Sequence, residues 1–324
     1  MPPVLIIGCG DVGRHVAAGE RAAGEAVTAL ARSASSAARL GALGLQVVHG
    51  DLDDPGTLAG LPTREARVYY FAPPPPSGTT DPRLRHFLAA IAPDALPARI
   101  VLISTSGVYG DCHGEWVTEE RPPRPDADRA RRRLDAEQAL LDWGEQQGVT
   151  VVILRVPGIY GPGRLPERRV RAREPVLRED ESPWSNRVHI DDLTRACLAA
   201  GQRGRPGAVY NISDGHPTTM TDYFNRVADA LGLERPPQIT LAQARAELSE
   251  GMQSYLAESK RLDNRRMREE LGVEPHYPDL TQGLAACLGD AAGGNQRHAG
   301  DRHGATRDER CSLNSPTSKS STTT

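Results

Sequence analysis

The stretch that decides the fold reads Val4-Leu5-Ile6-Ile7-Gly8-Cys9-Gly10-Asp11-Val12-Gly13. Its apolar beginning predicts a short buried strand, and a helical pattern follows over residues 12–23. The glycines have G-x-G-x-x-G spacing, and their place between a strand and a helix gives that spacing weight. Gly8 permits a tight turn, Gly10 lets a ligand approach the backbone, and Gly13 lets the helix pack against the strand. We therefore predict that dinucleotide phosphates bind at the helix N-terminus, in contact with Gly8, Cys9, Gly10, Asp11, Val12 and Gly13. The alternative is a glycine turn that binds no nucleotide.

Short apolar runs continue along the chain and alternate with helical patterns. Further strands are predicted at residues 26–30, 45–48, 67–71, 100–103 and 149–154, and a polar helix at about 128–143. Two later runs, 188–190 and 209–212, are predicted to be short strands that return to the same sheet. This alternation predicts an α/β fold, a Rossmann-type doubly wound parallel sheet with helices on both faces.

The character of the chain changes after residue 163. Residues 164–186 are rich in Arg, Pro and Glu, and residues 216–288 have mainly helical patterns. We predict that residues 1–163 and 187–215 form the dinucleotide-binding domain, and that the other two segments form a smaller, mainly helical substrate lobe. Residues 289–324 lack apolar periodicity and are predicted to be a disordered tail.

Composition limits the partners that the chain can have. The formal net charge is -3, which indicates neither nucleic acid nor an anionic membrane as a partner. The Arg-rich stretch 164–178 also contains glutamates and has no interleaved aromatic residues, so nucleic-acid binding is rejected there too. No apolar run approaches the roughly 20 residues that span a bilayer. Five scattered cysteines without metal-ligand spacing predict reduced thiols, a cytoplasmic location and no metal site. The expected partner is a small-molecule substrate.

The ribose-reading position should follow the glycines by about 20 residues. A site that prefers NAD needs Asp or Glu there, whereas this chain has Ala31-Arg32-Ser33. A guanidinium suits a 2′-phosphate because its planar fork donates paired charge-assisted hydrogen bonds. The sequence therefore favours NADP over NAD, with Arg32 and Ser33 as its contacts. The alternative is that Arg32 is an ordinary surface arginine.

Two later strand ends supply the remaining cofactor candidates. Asp51, followed by Leu52, comes directly after the third strand, where its carboxylate can meet the adenine edge. A helix cap is an equally good interpretation of this acidic cluster, with Asp53 and Asp54 as rival caps. Ala72 and Pro73 end the fourth strand, where the middle of the cofactor would pass.

Six short motifs occur in a fixed order along the chain. They are the glycine fingerprint, Gly50-Asp51-Leu52, Ser104-Thr105-Ser106-Gly107-Val108-Tyr109-Gly110, Leu154-Arg155-Val156-Pro157-Gly158-Ile159-Tyr160-Gly161-Pro162-Gly163-Arg164, Arg187-Val188-His189-Ile190-Asp191-Asp192-Leu193 and Tyr210-Asn211-Ile212-Ser213. The set resembles the extended short-chain dehydrogenase/reductase superfamily, the NAD-dependent epimerase/dehydratase family, over residues 4–288. The resemblance implies that Pro157 flanks the nicotinamide and that the protein can form a homodimer.

The resemblance also implies a catalytic hydroxyl at the end of the fifth strand and a Tyr–Lys pair on the next helix. In the family the Lys and the nicotinamide lower the pKa of the Tyr from about 10, so that it acts as a general acid/base. Counting back four residues from Tyr109 puts the hydroxyl at Thr105. Counting back from Glu137, which matches the acidic residue of that helix, puts Arg129 at the Tyr position and Arg133 at the Lys position.

The chain departs from the family at this pair. No tyrosine in the sequence has a lysine four residues later, and the two lysines are Lys260 and Lys319. We therefore expect no lysine near the active site. Arg129 and Arg133, four residues apart, lie on one helix face. A guanidinium stays protonated and has no acceptor, so these residues can clamp an anion or stabilise an oxyanion but cannot be a general base. The alternative is a solvated arginine stripe.

Two functions remain open at this stage. The first is an NAD(P)-binding oxidoreductase or epimerase/dehydratase-like enzyme for a small polar, anionic or sugar-like substrate, with Thr105, Arg129 and Arg133 as catalytic candidates. The second is a non-catalytic NADP(H)-binding redox sensor or scaffold. The enzyme gains support if the two arginines line a pocket with Thr105, and the sensor gains support if they face solvent.

Overall fold

The computed structural model describes residues 2–247 and 256–294 of this protein. Its centre is a seven-stranded parallel sheet with the spatial order β12-β7-β5-β4-β1-β2-β3. This is the strand order of a doubly wound dinucleotide-binding sheet. The strands are β1 (Val4–Ile7), β2 (Val27–Ala31), β3 (Gln46–His49), β4 (Arg67–Tyr70), β5 (Arg99–Thr105), β7 (Thr150–Val156) and β12 (Ala208–Asn211).

Helices cover both faces of the sheet. Successive residues of β1 point to opposite faces, and each face is buried by its own apolar cluster. This burial on both sides is why the strand is a continuous apolar run in the sequence. The helices are α1 (Asp11–Ala22), α2 (Ala34–Ala42), α3 (Pro82–Ala89), α4 (Asp128–Gln147), α5 (Glu167–Arg171), α6 (Ile190–Arg203), α7 (Met220–Ala230), α8 (Leu241–Glu247), α9 (Arg265–Leu271) and α10 (Leu280–Gly294).

Four pairs of short strands lie outside the main sheet. They are β6 (Trp116–Val117) with β15 (Arg261–Leu262), β8 (Gly158–Tyr160) with β11 (Arg187–His189), β9 (Val176–Leu177) with β14 (Gln238–Ile239), and β10 (Trp184–Ser185) with β13 (Thr218–Thr219). The prediction that residues 188–190 return to the main sheet is therefore wrong. That run pairs with β8 instead, and Ile190 already begins α6.

The third and fourth of these pairs connect two segments that the sequence analysis assigns to one lobe. The pairs β9–β14 and β10–β13 join residues 164–186 to the chain beyond residue 216, as a common substrate lobe requires. The boundaries of the two lobes remain a prediction. Of the predicted tail, residues 289–294 belong to α10, and residues 295–324 lie outside the described residues. In the part of the chain that the structure describes, no helix has the length and apolarity that crossing a bilayer requires.

A buried ion pair fixes α4 against the sheet. Arg155 Nη2 on β7 donates to Glu137 Oε2 on α4 at 2.7 Å, and Arg155 Nε donates to the same carboxylate at 3.2 Å. Both side chains are almost completely buried. The Arg155 guanidinium also lies over the Tyr109 ring, 4.7 Å from its centroid. The ion pair between Arg155 and Glu137 therefore orients α4, the helix that carries Arg129 and Arg133.

Candidate active site

The glycine loop follows β1 and leads directly into α1. Gly8 has φ +87°, and a Cβ built on it would lie 2.4 Å from Ala72 N. The Gly10 N–H donates to Gly8 O at 2.7 Å, which closes the turn. A Cβ on Gly13 would lie 3.0 Å from Gly8 O, so the helix packs tightly here. A Cβ on Gly10, in contrast, would meet no described atom closer than 4.0 Å, so there is room for a pyrophosphate beside this residue.

The first turn of α1 offers donors to an anion. Within the described residues no side chain caps this helix, and Gly10 occupies the N-cap position. The Asp11 carboxylate accepts hydrogen bonds from Arg14 and from Arg164, which lies beyond the predicted domain boundary. Burial raises the pKa of Asp11, but the hydrogen bond and charge of Arg164, together with His15 and Arg14, outweigh burial and hold this pKa below its usual value. Arg164 therefore adds a cation near the loop that the sequence did not single out.

Cys9 and Val12 face the protein rather than the loop. Both side chains pack against the apolar cluster on one face of the sheet. Burial raises the pKa of the Cys9 thiol to about 11, so it stays protonated at neutral pH. Contact between these residues and a cofactor would therefore be made through their backbone.

The candidate ribose-reading residues lie at the end of β2. The Arg32 side chain is 68% exposed, and its Nη1 lies 4.0 Å from Asp53 Oδ2. Ser33 caps α2 by accepting a hydrogen bond from the Ser36 N–H at 3.2 Å. Because Asp53 is engaged in a paired salt bridge with Arg83, the Arg32 guanidinium is only weakly held and can turn toward a 2′-phosphate.

The aspartates that follow β3 have different hydrogen-bonding roles. Asp54 caps the short 3-10 helix Pro55–Leu58 by accepting from the Gly56 N–H at 3.2 Å. Asp51 Oδ1 accepts from the Asp53 N–H at 3.0 Å within the turn. Leu52 is partly buried against the other face of the sheet. The cap is thus Asp54, and the proposed contact of Asp51 with the adenine remains a prediction.

A cavity of about 490 Å³ lies at the carboxyl ends of β5 and β7. This is the edge of a doubly wound sheet at which ligands bind. Its polar and charged lining residues include Thr105, Ser106, Arg129, Arg133, Asn186, Arg187, Tyr223, Glu258 and Lys260. Pro157, which the resemblance assigns to the nicotinamide, lines the same cavity.

The three catalytic candidates lie together in this cavity. Thr105 Oγ1 accepts from the Gly107 N–H at 3.2 Å, so it caps the strand end while its own proton stays available to a ligand. Arg133 Nη1 donates to Ala72 O at 3.2 Å. Ala72 also contacts the backbone of Gly8, so Arg133 connects the glycine loop to the cavity. Pro73, beside Ala72, accepts from Arg83 through its carbonyl at 3.1 Å.

A lysine also lines the cavity, contrary to the sequence-based expectation. Lys260 Nζ donates to Glu258 Oε2 at 2.7 Å, and Arg129 Nη2 donates to Glu258 Oε1 at 3.3 Å. Lys260 precedes β15, which pairs with β6, and this pairing brings it to the site from 127 residues beyond Arg133. The expectation was wrong because it rested on the spacing along the sequence, whereas the fold brings a distant lysine to the site.

Two further residues of the sequence motifs, Tyr109 and His189, make packing and capping contacts. Tyr109 is buried and its hydroxyl donates to Asn211 Oδ1 at 2.8 Å; burial raises its pKa to about 12. His189 caps α6 through Nδ1, which accepts from the Asp191 N–H at 3.3 Å, and its ring packs on those of Tyr160 and Tyr277. Both residues are accounted for by packing and capping.

Family models match both halves of the sheet. The model described as NAD dependent epimerase/dehydratase family matches residues 83–213. Over this segment the chain is similar to the NAD-dependent epimerase/dehydratase family. The model of the TrkA-N domain matches residues 4–77, which include the glycine loop.

Two curated proteins are similar to this chain over part of its length. YeeZ of Escherichia coli K12 is 34% identical over 183 residues, which are 56% of this chain and 59% of YeeZ. The dTDP-glucose 4,6-dehydratase of Streptomyces griseus is 28% identical over 206 residues, 59% of this chain and 58% of that protein. The matches thus span little more than half the length of these relatives.

Solved structures share the fold over most of the chain. A conserved protein of unknown function from Silicibacter pomeroyi DSS superposes with a TM-score of 0.77 and 28% identity, covering 90% of this chain and 99% of that one. The Thermotoga maritima UDP-glucose 4-epimerase with UDP-glucose gives a TM-score of 0.73 at 20% identity, with the same coverage. The second likeness shows the fold alone.

Proposed function

We propose that this protein is an NAD(P)-dependent oxidoreductase or epimerase/dehydratase-like enzyme that acts on a small polar substrate in the cavity. The observation that carries the proposal is the hydrogen bond from Arg133, which lines the cavity, to Ala72 O, because Ala72 lies against Gly8 of the glycine loop. The arginines and Thr105 line that cavity together, which was the condition that favours the enzyme over the sensor. The kinship with a dTDP-glucose dehydratase supports a sugar-like substrate.

The roles of the residues follow from their chemistry. The glycine loop and the first turn of α1 would hold the dinucleotide phosphates, and the nicotinamide would supply or accept the hydride. Thr105 donates a hydrogen bond to the reacting oxygen, and Arg129 and Arg133 stabilise negative charge that develops on it. Neither guanidinium can release a proton near neutral pH. Lys260 lines the same cavity and supplies a further hydrogen-bond donor. A cytoplasmic location remains a prediction from the scattered cysteines.

The cofactor preference can be measured directly. We expect the protein to bind NADP and NADPH more tightly than NAD and NADH in calorimetric titrations. Replacing Arg32 with Ala should weaken NADP binding about tenfold and leave NAD binding unchanged, because a charged hydrogen bond contributes about 1.5–3 kcal/mol. Arg39→Ala, an arginine change in the next helix, is the control. Equal loss of NAD and NADP affinity in Arg32→Ala would show that this residue does not read the 2′-phosphate.

If Thr105 is catalytic, its replacement should lower turnover without changing cofactor affinity. With NADP or NADPH and a panel of carbonyls, alcohols and nucleotide sugars, the Thr105→Val variant should lose about 100-fold in kcat through the missing oxyanion donor. Its cofactor affinity should not change, because the hydroxyl lies in the cavity and not at the phosphates. Ser106→Ala is the neighbouring control. If the wild-type protein binds cofactor tightly and turns over no member of the panel, the enzyme proposal fails.

The missing Tyr–Lys pair supports a second candidate, a non-catalytic NADP(H)-binding sensor or scaffold. Such a protein would change its assembly state or partner affinity with the cofactor's oxidation state. Light scattering of the full chain with NADP and with NADPH tests this candidate. A molecular mass that is identical in both conditions, with no captured partner that depends on cofactor, argues against it.

A further inference from the structure

The charge of the cavity lining is strongly one-sided. Among its described lining residues, four side chains are cationic, and Glu258 is the one carboxylate. Glu258 is engaged by two of the cations, Arg129 and Lys260. No carboxylate of the described residues lies within 4 Å of the other two, Arg133 and Arg187. The cavity therefore presents positive charge that the part of the chain described here does not neutralise.

Arg187 is the more deeply enclosed of these two cations. It is 7% exposed, and burial lowers the pKa of its guanidinium. The buried carboxyl of Asp214 influences it from beyond salt-bridge distance, but burial raises the pKa of Asp214 to about 7, so its charge is partial at neutral pH. An uncompensated buried charge is unfavourable, and an anionic ligand would offset that unfavourable burial.

Two other buried arginines of the fold each have a carboxylate partner. Arg67 Nη1 donates to both carboxylate oxygens of Glu20 at 2.7 Å. Arg155 is paired with Glu137 in the same manner. Neither of these arginines lines the cavity. Arg187 differs from both in lining the cavity and in having no carboxylate partner among the described residues.

The Arg187 guanidinium is held in one orientation. One face lies over the Tyr223 ring, 4.2 Å from its centroid. Gly158 lies close against the group, since a Cβ there would be 3.0 Å from Arg187 Nη1. Nη1 donates to Asn186 O at 2.7 Å, and Nη2 contacts the sulfur of Met220 at 3.3 Å. A guanidinium has five N–H donors, so this cation is fixed in position with donors still available.

Lys260, which lines the same cavity, is held next to the segment that carries Arg187. Asn186 Nδ2 donates to Lys260 O at 3.0 Å, and the Leu262 N–H donates to Asn186 Oδ1 at 2.7 Å. Asn186, the residue before Arg187, thus clamps the segment that carries the lysine. A rigid planar donor beside an ammonium suits an anionic oxygen group.

We propose that Arg187, beside Lys260, binds a carboxylate or phosphate of the substrate while Thr105 meets the reacting oxygen. The inference rests on the proposed function for the reacting group, but the anion site itself can be tested without cofactor or turnover. It narrows the substrate class to small molecules that carry an anionic group as well as a carbonyl or hydroxyl.

The test is a titration of the full chain with two probes, inorganic phosphate and malonate, each against potassium chloride at matched ionic strength. We expect saturable binding of at least one probe, and its identity tells phosphate from carboxylate chemistry. In Arg187→Met, which keeps an unbranched side chain against Tyr223, the affinity should fall at least about tenfold. Arg132→Met removes a buried arginine of α4 outside the cavity and should retain wild-type affinity.

Three results overturn the proposal. One is no saturable binding of either probe to the wild-type protein. The second is equal affinity in wild type and Arg187→Met, which would assign the anion to the glycine loop. Because that variant could lose its fold, the melting temperature of the wild-type protein is a second measurement. It should rise with probe concentration beyond the potassium chloride control, and no such rise also overturns the proposal. Failure of turnover with anion binding intact would instead reject only the enzyme assignment.

Discussion

Replacing Gly8 with Ala is expected to reduce dinucleotide affinity by about 100-fold, the size of effect that a misplacement of about 1 Å can cause. Two features of the position combine. Its φ of +87° is disfavoured for any residue with a Cβ, and the new Cβ would lie 2.4 Å from Ala72 N, which is backbone and cannot rotate away. The loop must therefore shift away from β4, and the donors at the start of α1 shift with it. Calorimetric titration with NADP and NAD measures the loss.

The matched control is Gly60→Ala. Gly60 also has positive φ, +76°, but a Cβ there would meet no described atom within 4 Å. The control therefore introduces similar backbone strain without a collision and far from the loop. It should bind cofactor like the wild-type protein. Unchanged affinity in Gly8→Ala would mean that the loop is not the cofactor site, whereas equal loss in both variants would point to general destabilisation.

The sheet and the glycine loop could be predicted because their signals are local. A run that is buried on both faces is continuously apolar, and a turn that needs glycine at fixed positions shows that need in the sequence. Helix α3 had a comparable signal that was not used. Asp81 accepts from the Leu84 N–H and Pro82 occupies the first helical position, which is an ordinary helix start.

The composition of the cavity could not be predicted in the same way. Lys260 and Glu258 reach it through the short pairing of β15 with β6, and two-residue strands carry no periodic pattern. The burial of Arg187 depends on residues of α7 and β8 that are distant in sequence. The run around Val188 was assigned to the wrong sheet because a three-residue strand gives no information about its partner. The local sequence pattern identified the positions of Arg129 and Arg133. The residues that surround them come from distant parts of the sequence, so they could be identified only from the fold.

Glu137→Gln is expected to lower the free energy of unfolding by about 3–5 kcal/mol, the usual cost of removing one partner from a buried ion pair. Gln has nearly the same shape as Glu, so little packing is lost. What remains is the Arg155 guanidinium, about 6% exposed, without the carboxylate that accepted three hydrogen-bond contacts from it. Urea unfolding of the full chain measures the change.

An exposed pair of similar geometry supplies the comparison. Arg235 donates to both oxygens of Asp229 at 2.8 and 2.7 Å, but the two side chains are 62% and 48% exposed. Asp229→Asn should therefore cost less than about 1 kcal/mol. If both single variants lose the same small amount, burial does not strengthen the Glu137–Arg155 pair.

A double variant separates the buried charge from the lost contact. Glu137→Gln with Arg155→Met removes both ionic groups, so no uncompensated cation remains beneath the sheet edge. We expect it to be more stable than Glu137→Gln alone, even though it carries one more substitution, because residues in contact do not contribute additively. A double variant less stable than either single variant would contradict this account. It would show that the pair acts mainly by positioning α4, and the loss would then extend to the cavity through Arg129 and Arg133.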